Sequence, residues 1–168
     1  MVKSMTDDIR VVTMKPRRSR KIKRSKAKRE KSISALVKEL DALVSRVVRL
    51  GACDSEGMVK CYTCGYKTHY KKIHCGHYIS RFYKETRWDL RNLRPQCFNC
   101  NIYRKGNAVS FRQKLVEEYG EEEIKEMEKS VDFLVRGGKT REWLEKSIEI
   151  EKKSLETLES ELSTEMKI

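Results

Sequence analysis

Cys61-Tyr62-Thr63-Cys64 and Cys97-Phe98-Asn99-Cys100 are two Cys-x-x-Cys knuckles separated by 32 residues. Each knuckle turns both sulfurs toward one point, and four thiolates so paired suit tetrahedral zinc with Zn–S distances near 2.3 Å. A closed four-sulfur set leaves no open coordination position. The zinc it predicts is therefore structural, a staple for a unit too small to hold itself by burial. A redox Cys-x-x-Cys is the competing reading, but two copies without a surrounding βαβ pattern argue against it. Cys53 and Cys75 lie outside the set and read as plain thiols, unless Cys75, beside a histidine, replaces a ligand.

Between the knuckles the sequence has no long helical period. Tyr62, the stretch from His69 to His77, Tyr78 and Ile79 have strand-like composition broken by Gly65 and Gly76, so short strands and turns are expected. Ala52 to Val59 reads as a loop, and a small helix is expected from Phe98 to Lys105, ended by Gly106. On that helix Phe98 and Ile102 would share one face, and Asn101 and Lys105 another. His69, His74 and His77 all fall inside the zinc loop. An imidazole titrates near neutrality and can take a proton from water attacking a phosphodiester. The attacked phosphate also needs a hard cation, Mg²⁺ or a similar ion that accepts oxygen ligands, and Asn101 directly follows the second knuckle. Zinc drawing the knuckles together would thus bring Asn101 beside the strand of His77.

Outward from this block, Ile33, Leu36, Val37, Leu40, Leu43, Val44, Val47 and Val48 recur at helical steps between Ser32 and Gly51 as caps. They predict an amphipathic helix that braces the central unit. Beyond Asn107, itself a candidate N-cap, Val109 to Tyr119 reads as a helix closed by Gly120, and Glu121 to Lys129 as another. Gly137-Gly138 is a hinge, and Thr140 opens a last helix. Its Leu144, Ile148, Leu155, Leu158 and Leu162 approximate a heptad seam interrupted by Glu151. The seam either pairs two chains as a homodimer or folds back.

Charge narrows the class of partner. Of 168 residues, 38 are Lys or Arg and 25 Asp or Glu, for a net charge of +13, and the chain is polarised: residues 1–116 carry +20 and residues 117–168 carry −7. A basic front of that size calls for a polyanion, and DNA or RNA is the commonest. From Lys15 to Lys31, 11 of 17 residues are basic, leaving too few apolar groups to fold alone. This disordered or extended arm, with Arg17, Arg18, Arg20 and Lys21, reads as a phosphate-binding tail with steeply salt-dependent binding. The apolar runs are too short for a membrane span, and the N-terminus lacks the apolar stretch of a secretory signal, which points to a reducing cytosol.

The compound pattern Cys61-x-x-Cys64, Gly76-His77-Tyr78, Arg87, Asn92, Gln96-Cys97-x-x-Cys100-Asn101 and Lys105-Gly106-Asn107 resembles the NinG family of lambdoid phage recombination proteins, also called Rap. That family is similar in turn to the HNH endonucleases, which use a ββα-metal fold. The resemblance covers roughly residues 53–130. It implies His77 as general base, Asn92 as the residue that ties the hairpin loop and orients the base, and Asn101 at the last metal-binding position. Lys105 stands one helical turn later, where it either approaches the phosphate or covers the helix, and Arg81, Arg87 and Arg94 are candidate phosphate clamps. Many HNH sites carry an Asp just before the base, where this chain has Gly76. His74 is the substitute ligand for a catalytic Mg²⁺ or Mn²⁺, although strand alternation places residues 74 and 77 on opposite faces without a bulge.

The expected molecule is an α+β protein: a basic arm (1–31), a bracing helix (32–51), a zinc-stapled HNH-like nuclease unit (52–130) and a helical, oligomerising C-terminal segment (131–168). Its expected activity is metal-dependent hydrolysis of DNA. The resemblance adds branched substrates such as Holliday junctions or D-loops, recombination partner proteins, and the cytoplasm of a phage-infected bacterium. A noncatalytic zinc DNA-binding or recruitment factor and a protein-interaction adaptor are the rival readings.

Overall fold

A computed structural model describes residues 30–131 and 138–165. The arm with Arg17, Arg18, Arg20 and Lys21, and Gly137 of the hinge, lie outside the described residues. The element order is α1 (Ile33–Leu50), β1 (Met58–Lys60), β2 (Lys67–His69), β3 (His74–His77), β4 (Leu93–Gln96), α2 (Ala108–Tyr119), α3 (Glu121–Lys129) and α4 (Arg141–Glu165). It is a mixed α+β chain with two small antiparallel sheets, β1–β2 and β3–β4.

Helix α1 forms where its apolar period predicts. Ser32 caps it through Oγ, which accepts from the Ala35 amide, and the Gly51 amide donates to Val47 O. It buries Leu36, Leu40 and Val44 in a cluster with Leu93 of β4 and with Leu144 and Ile148 of α4. Helix α4 therefore folds back on α1, with Leu144 and Ile148 of its apolar seam in that cluster. Leu144 is fully buried, and Ile148 and Leu155 nearly so. The cluster thus joins α1, β4 and α4 in one core.

Strands β3 and β4 pair without a bulge, His74 opposite Gln96 and His77 opposite Leu93. Strands β1 and β2 pair Val59 with Thr68 and carry the first knuckle at their turn, so the expected loop at 52–59 is already strand by Met58. The Tyr62 amide donates to Pro95 O at 2.8 Å, which docks that knuckle on β4. A short second core of Val59, Ile73 and three of the knuckle thiols lies here.

The expected helix at 98–105 is instead a single π-helical turn, Asn99–Tyr103. Lys105, Gly106 and Asn107 follow it with left-handed φ of 47°, 85° and 48°. That conformation is open to asparagine and glycine and rare for lysine. Asn107 precedes α2 but its side chain caps no backbone amide; its Oδ1 accepts from the Ser110 hydroxyl at 3.4 Å. Phe111 and Leu115 of α2 and Ile124 and Met127 of α3 close a third core with Ile79.

Candidate functional site

The four knuckle sulfurs lie within 4.8 Å of one another. A tetrahedron with a 2.3 Å metal–sulfur radius has edges of about 3.8 Å, and Cys64 Sγ and Cys97 Sγ are 3.7 Å apart. The donor set thus fits a metal ion such as zinc. The turns are formed by backbone: the Gly65 amide donates to Cys61 O at 2.8 Å with Gly65 at φ +76°, and the Cys100 amide donates to Cys97 Sγ at 3.4 Å. Burial opposes ionisation of Cys61, yet hydrogen bonds from Thr63 and from the Cys97 and Cys64 amides bring its pKa down to about 6. Burial and the neighbouring thiols push Cys64 up to about 12. A cation in the centre would take the place of these protons. Cys75 belongs to the core against α1, not to this set, and burial raises its thiol to about 12. Cys53 packs half-buried beside the knuckles.

Beside the sulfur cluster, a cavity of about 720 Å³ is lined by His74, His77, Asn101, Arg49, Lys71, Lys72, Arg81 and Lys105. Among the described residues no carboxylate lines it. His74 and His77 keep strand alternation: Cys75 and His77 look toward α1, where they share a smaller pocket with Asp41 and Val44. His74 meets Asn101, whose Nδ2 lies 3.1 Å from His74 Nδ1. The four-residue strand is short enough for one cavity to reach both histidines. His69 sits in β2, where its Nδ1 accepts from the Lys71 amide.

His77 Nε2 lies 3.2 Å from the carbonyl oxygen of Arg87. A carbonyl only accepts, so Nε2 carries the proton of the neutral ring and Nδ1 keeps its lone pair. Burial holds the imidazole pKa below its ordinary value; Arg81 and Arg87 add to that, against the Arg87 carbonyl and Asp41. His77 is thereby neutral at pH 7.

Asn92 is fully buried and is not among the residues that line the cavity. Its Oδ1 accepts from the Ile79 amide at 2.6 Å, and Nδ2 donates to Ile79 O at 3.0 Å and Thr86 O at 2.9 Å. It ties the two ends of the loop from β3 to β4.

Two of the three candidate arginine clamps are committed elsewhere. Arg87 binds both oxygens of Asp41 on α1, at 2.9 and 2.5 Å, and Asp41 also accepts from Trp88 Nε1. It anchors the loop whose carbonyl holds His77. Arg94 pairs with Glu118 and lies over Tyr62 and Tyr119, away from the cavity. Each guanidinium is engaged by a carboxylate in this structure. Arg81 and Lys105 do reach the cavity wall. The residues that sequence reasoning misses are Arg49, Lys71 and Lys72. Arg49 belongs to a helix that the sequence marks only as a brace, and its position off the apolar stripe is the signal that could have found it.

Packing accounts for the glycine at position 76. A Cβ there would lie 2.3 Å from Gln96 Oε1 and 2.8 Å from Gln96 Cγ. Gln96 is fully buried, and its Nε2 donates to Gly106 O at 2.7 Å and Thr63 Oγ1 at 3.2 Å, so it has no room to retreat. Gly76→Ala is expected to cost about 1–3 kcal/mol by overpacking. A thermal melt of the variant that matches wild type would refute this account of the glycine.

The curated relatives include protein ninG of Escherichia phage 933W, 35% identical over 69 residues, which are 40% of this chain and 34% of that protein. Protein ninG of Escherichia phage lambda is 33% identical over 69 residues, 40% of this chain and 33% of its own. The matched segment thus spans about a third of each relative. No solved structure matches the fold. No described helix is long and apolar enough to cross a membrane. The profile described as Bacteriophage Lambda NinG protein matches residues 3–161, nearly the whole chain, and the chain belongs to the NinG family.

Proposed function

We propose that this chain is a metal-dependent DNA endonuclease of phage recombination, acting on branched DNA, with His77 as the general base. The observation that carries the reading is one cavity in which a neutral imidazole and the His74–Asn101 pair stand among five cationic side chains with no carboxylate among the described lining residues. A polyanion is the matching ligand, because each phosphate entering it meets only positive charge.

His77 Nδ1 is the free lone pair and takes the proton of the attacking water. The water oxygen then bonds to phosphorus, and the P–O bond to the leaving alkoxide breaks. Arg49, Lys71, Lys72, Arg81 and Lys105 hold the backbone and oppose the charge that builds on the phosphate. His74 and Asn101 would fit a divalent cation once the Asn101 amide turns to present Oδ1 where Nδ2 now faces His74 Nδ1. An imidazole ligand suits Mn²⁺ better than Mg²⁺. When bound, that cation supplies Lewis-acid stabilisation of the phosphoryl oxygens. The four-cysteine zinc stays structural and takes no part in the reaction.

A noncatalytic DNA-binding factor is the second reading, favoured by the missing carboxylate at Gly76. Labelled linear, forked and four-way DNA incubated with Mn²⁺, with Mg²⁺, or without added divalent cation separates the two. Metal-dependent strand scission with preference for the branched forms supports the enzyme. Tight binding without scission leaves the binding factor.

The cationic wall has its own test. Lys71, Lys72 and Lys105 are exposed, so their replacement by alanine should leave the fold intact. Removing one phosphate-binding cation should reduce the slope of log affinity against log salt by about 0.9 on duplex DNA. A triple variant with an unchanged slope would remove these lysines from the interface.

A further inference from the structure

Around the π-helical turn that brings Asn101 into the cavity, three large apolar side chains are left exposed to solvent. Phe98 is 51% exposed, Ile102 50% and Tyr103 76%. These are large apolar groups on a strongly basic chain, where burial would be the ordinary outcome. They form one patch. Phe98 stands edge-on to Tyr103 with ring centroids 5.3 Å apart, and edge-on to His74 at 5.5 Å. Ile102 itself lines the cationic cavity together with Asn101 and Lys105. The patch is therefore continuous with the phosphate-binding wall and joined to the site through His74.

We infer that Phe98, Ile102 and Tyr103 form a stacking platform for unpaired bases of the nucleic acid whose backbone lies in the cavity. Charge complementarity selects the occupant. Cations track the phosphates, and an adjacent aromatic face offers the bases a surface that a paired duplex, with its bases already stacked, cannot use. The inference rests on the cavity being a DNA site, and it deepens that reading by assigning unpaired strands, such as those at a branch point, as the preferred class.

The test measures binding of the full chain, without added divalent cation, to labelled single-stranded, forked and duplex DNA of equal length. Phe98→Ala and Tyr103→Ala should each weaken the single-stranded and forked complexes by roughly 5- to 150-fold, the range for removal of one base stack. Duplex affinity should stay the same. A 2-aminopurine in the unpaired segment should lose its quenching in the variants. Equal losses on duplex and single strands, or no loss on either, would overturn the platform. So would sedimentation showing that the patch joins two copies while the variants, now monomers, bind DNA as before. Failure is distinguishable from failure of the nuclease reading: stacking without scission removes only the enzyme, and scission without stacking removes only the platform.

Discussion

Replacing His77 with alanine should lower DNA cleavage by about 10²- to 10⁴-fold, the usual contribution of a general base, while DNA affinity and the far-UV spectrum stay at wild-type values. The separation is expected because the cations that line the cavity, Arg49, Lys71, Lys72, Arg81 and Lys105, are unchanged in the variant. The hairpin is held by Asn92 and by the β3–β4 register. In the proposed mechanism the same residue should set the pH profile. The base works as the neutral ring, so activity is lost as pH falls through its pKa. Burial places that pKa below the ordinary 6.5 of an imidazole. The acid limb of the rate profile should accordingly lie below pH 6.5, and activity should be level across neutrality on that account. An acid limb at or above 6.5, or one that persists in His77→Ala, would assign the titration to another group. Full cleavage by the alanine variant would end the proposed role.

Removal of the sulfur cluster should have the larger effect on the fold. The core beneath the knuckles has only Val59 and Ile73 as fully buried aliphatics, with Cys61, Cys97 and Cys100 supplying the rest. Burial of one such side chain contributes about 1.5–3 kcal/mol, against an apparent zinc contribution of about 10–16 kcal/mol in comparable small sites. Whole domains are stable by about 5–15 kcal/mol. Cys97→Ser or Cys61→Ser should therefore unfold residues 53–107 and release the ion. Helices α1 and α4 keep their own apolar contact. Zinc content by a chelating dye and limited proteolysis of the 53–107 segment would read this directly. A serine variant without metal whose segment resists protease as wild type does would show that burial suffices.

Arg87 shows how the roles divide. By sequence its guanidinium is a candidate clamp for phosphate, and in the fold it is held instead by Asp41, 46 residues earlier in the chain. Its backbone carbonyl, not its charge, matters to the site, because it fixes the tautomer of His77. Arg94 meets Glu118, 24 residues later, in the same way. Composition can count such cations but cannot tell which will remain unpaired.

The knuckles, the capped α1 helix, the helices read at 109–119 and 121–129 and the approach of Asn101 to the histidine strand were legible in the sequence by itself. Each follows from local spacing, from a side-chain period, or from metal chemistry that needs only a few residues at fixed intervals. Tertiary structure alone decided that α4 closes on α1, that Gly76 is forced by Gln96, and that Arg49, Lys71 and Lys72 form the wall of the cavity. These depend on which distant surfaces meet. A cation is neutralised, or left facing a cleft, by whatever packing brings within a few ångströms of it, and no local pattern encodes that.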